Sequence, residues 1–326
     1  MRGIELTPEH PVERLVDLGV RAETVGFDTL FASSHYNNRD PFVTLAGIAA
    51  ATDRIRVGPG VANPYETHPV ALASRVATLA EVSDDRVVCG LGAGDRSTLR
   101  NLGVERDRPL RRVLETMRVA RRLWAGERVD HEGTFTARDA ALNYDSPDVP
   151  VYVGAQGPHM LRMSAKHADG VLVNASHPRD FAWASDQVEI GLDARPEARG
   201  PFDYAAYASV SIAQDETAAR EAARPPVAFI AGGAAPPVLD RHDVDPSTVE
   251  PISEALEAGR FSEAFDAVTP ELVDAFCIAG TPETVERKVE SVLDFADSFV
   301  AGAPLGPSPE TAVELLGDVL SDLAVQ

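Results

Sequence analysis

A complete strand–loop–helix–strand unit occupies residues 149–173, VPVYVGAQGPHMLRMSAKHADGVLV. Residues 149–153 and 170–173 are apolar runs of the kind that buried parallel strands have. Residues 159–167 are predicted to be a helix, and residues 154–158 form a short glycine-rich loop in front of it. Parallel strands are joined by a crossover that is usually a helix, so this segment predicts an α/β fold.

The same alternation extends in both directions along the chain. Strands are predicted at residues 2–6, 27–33, 55–57, 87–91, 149–153, 170–173, 204–213 and 298–301. Helices are predicted between or after them, at residues 11–25, 40–52, 69–82, 111–124, 159–167, 181–192 and 311–323. Eight strands that alternate with helices in a chain of this length predict a (β/α)8 TIM barrel.

Two segments depart from this alternation. Residues 128–144, after the fourth strand, are predicted to form a small hairpin. Residues 216–276, after the seventh strand, are predicted to be helices broken at Pro225-Pro226, Pro236-Pro237, Pro246 and Pro251. We therefore expect one barrel domain over residues 1–326, with insertions at about residues 95–145 and 214–280.

The composition points to a cytoplasmic protein. The 326 residues are 44% hydrophobic, which is enough for a sizeable core, and no apolar run has the length of a membrane span. The chain runs from Met1 directly into a predicted strand, without a signal-peptide pattern. The cysteines, Cys89 and Cys277, are too few for a disulfide framework.

The formal net charge is −21, and the basic residues are almost all arginines, with lysine at positions 166 and 288. This charge disfavours nucleic acid as a partner, because phosphate contacts need a basic surface. An acidic, lysine-poor surface is typical of proteins from a halophilic cytosol, where salt screens the self-repulsion. An ordinary acidic enzyme from an arginine-rich genome is the alternative.

Six polar or glycine-rich segments lie at the ends of predicted strands or, for residues 207–211, within one, and strand-end loops gather at the rim where TIM barrels carry out their chemistry. They are residues 34–39, 58–64, 92–95, 154–158, 174–178 and 207–211. Loop 154–158 precedes a helix, whose amino-terminal N–H groups favour an anion such as a cofactor phosphate, although an ordinary tight turn is the alternative. Loop 58–64 holds two prolines and two glycines, which indicates a bulge toward the rim or a purely structural kink.

Two side chains near the ends of the first two strands are candidates for catalysis. Glu5 lies within the first strand, where a buried carboxylate needs a partner, and this makes it a candidate proton donor. An outward-facing Glu5 paired with an arginine is equally compatible with the pattern. His35 follows the second strand and is well placed for a role at the rim. No cluster of histidine, cysteine and carboxylate has metal-ligand spacing, so we predict no metal.

Taken together, these segments resemble the coenzyme F420-dependent methylenetetrahydromethanopterin reductases, within the bacterial luciferase-like barrel superfamily. The resemblance runs from Gly3-Ile4-Glu5 to residues 301–307 and is carried by HYNNR (35–39), GPGV (58–61) with NPY (63–65), GAGD (92–95), GAQGP (154–158) and NASHP (174–178). It implies a luciferase-like (β/α)8 barrel that holds the deazaflavin coenzyme F420 at its rim. It also implies a non-prolyl cis peptide at Gly60-Val61, against the deazaflavin ring.

The resemblance further implies the reaction and the residues that support it. Reduced F420 would deliver hydride to a methylene-tetrahydropterin to give the methyl form, with Glu5 donating the proton. The implied cofactor contacts come from His35, Asn37, Gly60, Val61, Asn63, Gly94, Asp95, Gly154, Ala155, Gln156, Gly157 and Asn174. A homo-oligomer, dimer or tetramer, and no membrane or nucleic-acid partner are expected.

Some details depart from the family pattern or stay open. Ser34 stands where the family usually has an acidic residue, and a second family carboxylate has no clear counterpart near Glu132 and Gly133. The pterin can be tetrahydromethanopterin or, in a halophile, tetrahydrofolate. The alternative functions are a flavin-dependent monooxygenase, another F420-dependent dehydrogenase, and a non-catalytic deazaflavin-binding barrel.

Overall fold

The computed structural model describes residues 1–323, which form two compact units. The larger unit comprises residues 3–172 and 187–204, and the smaller unit comprises residues 1–2, 173–186 and 205 onward. In chain order the elements are β1 (Arg2–Leu6), α1 (Val12–Thr24), β2 (Thr29–Ala32), α2 (Pro41–Ala50), β3 (Arg56–Pro59), α3 (Pro69–Val82), β4 (Cys89–Leu91), α4 (Arg96–Asn101), α5 (Pro109–Trp124), β5 (Val129–Glu132), β6 (Thr136–Ala140), β7 (Val151–Gly154), α6 (Pro158–His167), β8 (Gly170–Asn174), α7 (Pro178–Leu192), a 3-10 turn (Glu197–Arg199), β9 (Asp203–Ile212), α8 (Glu216–Gly232), α9 (Pro236–Arg241), α10 (Pro246–Glu257), α11 (Phe261–Asp266), α12 (Pro270–Phe276), β10 (Ile278–Gly280), α13 (Pro282–Leu293), β11 (Ser298–Leu305) and α14 (Pro309–Asp322).

Parallel strands form the sheet of the larger unit. The strands β1, β2 and β3 are paired side by side, and Glu5 of β1 lies opposite Phe31 of β2, which in turn lies opposite Gly58 of β3. The strands β4, β7 and β8 are paired in the same way. Isolated bridges from Val57 to Val87 and from Ala62 to Leu91 join the two groups. The order of neighbouring strands in this unit is therefore β1-β2-β3-β4-β7-β8.

The helices of the larger unit begin and pack as their sequences dictate. Helix α3 starts with Pro69 in its first turn, where proline is preorganised for a helix, and the His68 side chain accepts a hydrogen bond from the Val70 N–H. Helix α5 places Val113, Met117 and other apolar residues along one face, and that face is buried. The predicted bounds of both helices agree with the structure to within two residues.

The hairpin predicted after β4 is present as the antiparallel pair β5–β6. A single buried carboxylate on α5 connects that helix to the hairpin. Glu115 accepts hydrogen bonds of 2.7 Å from both the N–H and the hydroxyl of Thr134, and lies 3.2 Å from His131 Nε2. Arg111 donates a further hydrogen bond of 2.6 Å from the same helix. Burial alone would raise the pKa of Glu115, but these hydrogen bonds prevail and lower it to about 2.

This low pKa predicts how the hairpin contributes to stability as the pH changes. Glu115 is ordinarily protonated below about pH 4.5, so its stabilising effect is complete above that value and disappears as the pH falls toward 2. We expect Glu115→Gln to lower the free energy of unfolding at pH 7 by about 1 to 3 kcal/mol. The difference from the wild type should shrink between pH 4.5 and pH 2, as measured by denaturant unfolding. A difference that stays constant over this range would contradict the assignment.

The smaller unit contains three parallel strands and the predicted helical insertion. Strand β9 pairs with β10 on one edge and with β11 on the other. Helices α8 to α12 pack around their own apolar core, in which Val227, Ile252, Leu272 and Phe276 are buried. Helix α13 begins after Thr281, whose hydroxyl accepts a hydrogen bond from the Thr284 N–H.

Some predictions of secondary structure are wrong. The prolines at 225–226 and 251 do not break helices, because α8 and α10 continue through them. Proline removes an N–H donor and disfavours a helix interior, but Ala223 and Val227 are fully buried on either side of the pair and hold α8 in place. The prediction also missed the short helix α4 and the three-residue strand β10.

The cysteines and the helices give little sign of redox chemistry or membrane insertion. Cys89 and Cys277 are both free thiols and buried, and burial raises the pKa of each to about 12. Neither thiol therefore forms a reactive thiolate at neutral pH. Within residues 1–323, no helix combines the length and the apolar character that crossing a membrane requires.

The acidic residues lie almost entirely toward solvent, which makes stability sensitive to salt. Of all the aspartates and glutamates, Glu5, Glu115 and Asp180 are buried. With a net charge of −21, the compact state repels itself at low ionic strength. We expect the melting temperature to rise by several degrees when KCl is increased from about 0.1 M to about 2 M, because the Debye length falls below ~3 Å. An equal concentration of a non-ionic osmolyte is the control, and an unchanged melting temperature in KCl would contradict the halophilic interpretation.

Candidate active site

The segment that follows β3 is held tightly between its neighbours. The peptide bond between Gly60 and Val61 is cis, as the family resemblance implies. The Ala62 N–H donates a 2.9 Å hydrogen bond to the Gly90 carbonyl, and the Gly92 N–H donates one of 2.9 Å back to the Ala62 carbonyl. The chain after β3 is thus fixed against β4, and its backbone is directed along the end of the sheet.

Glycines from other strand ends surround the Val61 side chain. A Cβ atom added at Gly92 would lie 2.3 Å from Val61 Cγ2, and one added at Gly154 would lie 3.2 Å from Val61 Cγ1. A Cβ atom at Gly90 would lie 2.2 Å from the Pro59 carbonyl oxygen. Any larger residue at these positions would displace the segment. The loops after β3, β4 and β7 therefore converge on Val61.

Glu5 is a buried carboxylate close to this segment. Its residue is 3% exposed, and the Thr7 hydroxyl donates a 2.9 Å hydrogen bond to its Oε1. Glu5 lies opposite Phe31 in the β1–β2 pair. A Cβ atom at Gly60 would lie 2.7 Å from Phe31 Cβ. Phe31 therefore packs against the cis peptide, and its strand is paired with the strand that carries Glu5. The structure thus brings Glu5 into the neighbourhood of Gly60 and Val61.

Asn63 and Gly94 join the loops after β3 and β4. Asn63 is 6% exposed, and its Oδ1 accepts hydrogen bonds from the N–H groups of Tyr65 (3.1 Å) and Glu66 (3.0 Å). Gly94 has φ of +72°, and a Cβ atom there would lie 3.2 Å from Asn63 Cγ. The side chain of Asn63 therefore shapes its own loop and packs against Gly94.

Asp95 caps the short helix that sequence analysis missed. Its carboxylate accepts hydrogen bonds from the Thr98 N–H at 2.8 Å and from the Ser97 hydroxyl. Partial burial would raise the pKa of Asp95, but the hydrogen bonds from Ser97 and Thr98 outweigh it and lower the pKa. Asp95 is therefore ionised at neutral pH. Its expected contact with a cofactor ring stays a prediction.

A cavity of about 170 Å³ lies at the carboxyl ends of β2 and β3. His35 and Asn63 both line it, so the structure brings these two predicted site residues together. Asn37 is exposed and is not among the lining residues. A larger and more open groove of about 530 Å³ lies between α3 and the hairpin, but none of the predicted site residues line it.

Loop 154–158 has the properties expected of a phosphate site. Ala155 is buried, and its N–H donates a 3.1 Å hydrogen bond to the Leu172 carbonyl, whereas Gln156 and Gly157 are exposed. Helix α6 begins after Gly157 without a side-chain cap, and no atom lies within 4 Å of a Cβ added at Gly157. The start of this ten-residue helix is therefore open at Gly157, where the helix dipole favours an anion.

Asn174, the remaining predicted contact, belongs to the smaller unit, where it ends β8 and is exposed.

Several residues near these side chains were not selected from the sequence. Tyr36, Asn38 and Glu66 line the same cavity as His35 and Asn63. Each of them lies in or next to loop 34–39 or loop 58–64, so its closeness in sequence to His35 or Asn63 could have indicated it. Arg106 lies outside every such loop, and its position near Tyr65 is evident only in the fold.

Strand-end loops that converge around a cis peptide, on parallel strands that alternate with helices, define a luciferase-like oxidoreductase. The chain belongs to this family, because the family model described as "Luciferase-like monooxygenase" matches residues 2–301. A 5,10-methylenetetrahydromethanopterin reductase from Archaeoglobus fulgidus is 39% identical over 321 residues, which cover 97% of each protein. One from Methanolobus tindarius is 39% identical over 320 residues, which cover 97% of this chain and 98% of that protein.

A solved structure confirms the predicted fold class. The coenzyme F420-dependent tetrahydromethanopterin reductase from Methanopyrus kandleri superimposes with a TM-score of 0.90 at 37% identity. The match covers 97% of this chain and 96% of that one. The fold is thus α/β, a luciferase-like (β/α)8 TIM barrel with the hairpin after the fourth strand. The chain is an enzyme of this oxidoreductase family and a homologue of F420-dependent methylenetetrahydromethanopterin reductases.

Proposed function

We propose that this enzyme transfers hydride from reduced coenzyme F420 to a methylene-tetrahydropterin and so produces the methyl form. The observation that carries the proposal is the buried carboxylate of Glu5 beside the convergence of Gly60, Val61, Gly92 and Gly154. The names of the full-length relatives at 39% identity support the same reaction. Both tetrahydromethanopterin and tetrahydrofolate derivatives are candidate substrates.

The residues present fit a phosphorylated deazaflavin. The uncapped start of α6, with Gly157 in front of it, would hold the phosphate through backbone N–H groups. The cis segment at Gly60-Val61, flanked by glycines, offers a flat backbone surface that an aromatic ring could approach closely. His35 and Asn63 would contact the ring system or the pterin from their shared cavity.

The chemistry divides between the cofactor and the protein. When bound, the deazaflavin supplies the hydride. Glu5 holds a proton for the imidazolidine nitrogen that is released when the methylene bridge opens, and the Thr7 hydroxyl orients its carboxyl group. The rigid segment around Val61 keeps donor and acceptor carbons aligned, and alignment contributes a large part of the rate.

An anaerobic assay with reduced F420 tests this function. We expect oxidation of F420 in the presence of methylene-tetrahydromethanopterin, methylene-tetrahydrofolate or both, in a buffer that contains molar KCl. Reduced flavin mononucleotide and a reduced nicotinamide serve as alternative donors, and neither should replace F420. Turnover of a sugar or an alcohol instead of either pterin would favour another F420-dependent dehydrogenase, and turnover with flavin and oxygen would favour a monooxygenase.

A further inference from the structure

Two arginines at the carboxyl end of β4 lack any acidic partner in direct contact. Arg96 is the first residue of α4, and Arg106 lies in the loop that follows this helix. Within residues 1–323, neither side chain forms a hydrogen bond or an ion pair. The Nε atom of Arg106 is buried and has no hydrogen-bond partner, which is unusual for a charged group.

The polar groups around Arg106 are already committed to other partners. The Tyr65 hydroxyl donates a 2.6 Å hydrogen bond to the Asp107 carbonyl, and its ring lies 4.7 Å from the guanidinium of Arg112. Asp95 accepts its hydrogen bonds from α4. Burial and the charge of Arg96 lower the pKa of Arg106, while Tyr65 and Asp95 counteract this only in part. The charges of Arg96 and Arg106 are therefore close enough to affect each other, and neither side chain has an acidic partner in direct contact.

Two other arginines of the larger unit, Arg86 and Arg121, have direct partners. Arg86 donates hydrogen bonds of 2.6 Å to the Ile55 carbonyl and 2.8 Å to the Thr52 carbonyl. Arg121 forms a 2.6 Å ion pair with Asp169. In a chain with 51 acidic and 30 basic residues, an uncompensated pair of arginines is a local exception. Such a pair attracts an anion, and guanidinium groups match carboxylate and phosphate geometry.

The arginine pair adjoins the candidate active site. Arg96 directly follows Asp95, and Gly94 packs against Asn63, which lines the cavity. The Asn101 side chain of α4 donates a 3.2 Å hydrogen bond to the Tyr36 hydroxyl, and Tyr36 lines the same cavity. A ligand that occupied the cavity could therefore extend to Arg96 and Arg106.

We propose that Arg96 and Arg106 form an anion subsite that binds a carboxylate or phosphate group on the tail of a ligand held at this site. The identity of the ligand rests on the proposed function, in which both the pterin substrate and F420 carry acidic tails. The subsite would anchor a remote part of the ligand and leave the reacting carbons to Glu5 and the Val61 segment.

The test compares the double variant Arg96→Gln/Arg106→Gln with Arg100→Gln, which removes an exposed arginine from the same helix. For a methylene-tetrahydropterin with its acidic tail, we expect the double variant to raise KM about 10- to 100-fold at similar kcat, because charge-assisted hydrogen bonds are lost. For a methylene-tetrahydropterin without that tail, KM should not change. Arg100→Gln should resemble the wild type with both substrates.

Two binding measurements identify the source of the anion and do not depend on turnover. Fluorescence titration with F420, and with a deazaflavin that lacks the phosphate and the tail, shows whether the arginines bind the cofactor. If the double variant loses affinity for F420 but not for the shortened deazaflavin, the subsite binds the acidic tail of F420. Calorimetric titration with γ-glutamyl-glutamate and with inorganic phosphate tests the subsite even if neither pterin is reduced. Unchanged KM and unchanged affinities for all these ligands, relative to Arg100→Gln, would overturn the proposal.

Discussion

Glu5→Gln lowers kcat for methylene-tetrahydropterin reduction by about 10²- to 10⁴-fold, the range that loss of a general acid produces. Glutamine keeps the shape of the side chain and can still accept a hydrogen bond from Thr7, but it cannot supply the proton that the released imidazolidine nitrogen needs. Because Glu5 is 3% exposed, bulk water has little access to replace it. The measurement is an anaerobic single-turnover rate at saturating F420 and pterin.

The affinity for F420 separates this effect from a disturbed pocket. We expect the dissociation constant of F420 for Glu5→Gln to stay within about threefold of the wild type, because a chemical role in the transition state need not affect binding of the ground state. Thr7→Val is the matched variant, since it removes the hydrogen bond to Glu5 and keeps the carboxyl group. It should lose much less activity than Glu5→Gln. Equal rates for Glu5→Gln and the wild type would remove Glu5 as the proton donor.

Gly90→Ala lowers both the stability and the affinity for F420. The new Cβ atom would lie 2.2 Å from the Pro59 carbonyl oxygen and 3.2 Å from Val61 Cγ1. Because the first of these contacts is with backbone, the segment after β3 has to move. Overpacking of this kind costs about 1 to 3 kcal/mol, which corresponds to a fall of roughly 2 to 10 °C in melting temperature for a chain of this size.

A second glycine provides the control for this prediction. Gly157 has an ordinary φ of −103°, and no atom lies within 4 Å of a Cβ added there. Gly157→Ala should therefore lower the melting temperature less than Gly90→Ala, because it adds no steric overlap and loses only the preference for glycine over alanine at a helix N-cap. Wild-type stability and wild-type affinity for F420 in Gly90→Ala would contradict the prediction. They would show that the pocket does not depend on the close packing of these loops around Val61.

The strands and most helices were predictable because their apolar runs are long or strongly periodic. Helix α3 agrees at both ends, at Pro69 and Val82, because a proline marks its start and its apolar face is regular. Helix α4 was not predictable from periodicity, because its six residues, RSTLRN, include one apolar side chain. The continuity of α8 through Pro225-Pro226 depends on packing in the insertion core, which local preferences do not report.

The site was predictable in its loops and less so in its contacts. The cis peptide at Gly60-Val61 followed from the family resemblance and is confirmed, whereas no local signal in the sequence specifies a cis bond. Alternation could not decide whether Glu5 was buried, because barrel strands are covered on both faces; its 3% exposure comes only from the fold. The proximity of Arg106 to Tyr65, 41 positions apart in sequence, is likewise a tertiary contact. The roles of these residues in catalysis and binding stay predictions.

Isotope transfer tests direct hydride transfer from F420 to the pterin most closely. Reduced F420 that carries deuterium at its transferable position is mixed anaerobically with the enzyme and a methylene-tetrahydropterin, and the methyl product is analysed by mass spectrometry. The proposed function predicts one deuterium in the product methyl group from the labelled cofactor, and none when unlabelled reduced F420 reacts in D2O. A methyl group that takes its deuterium from the solvent, or that forms without label from deuterated F420, would contradict it.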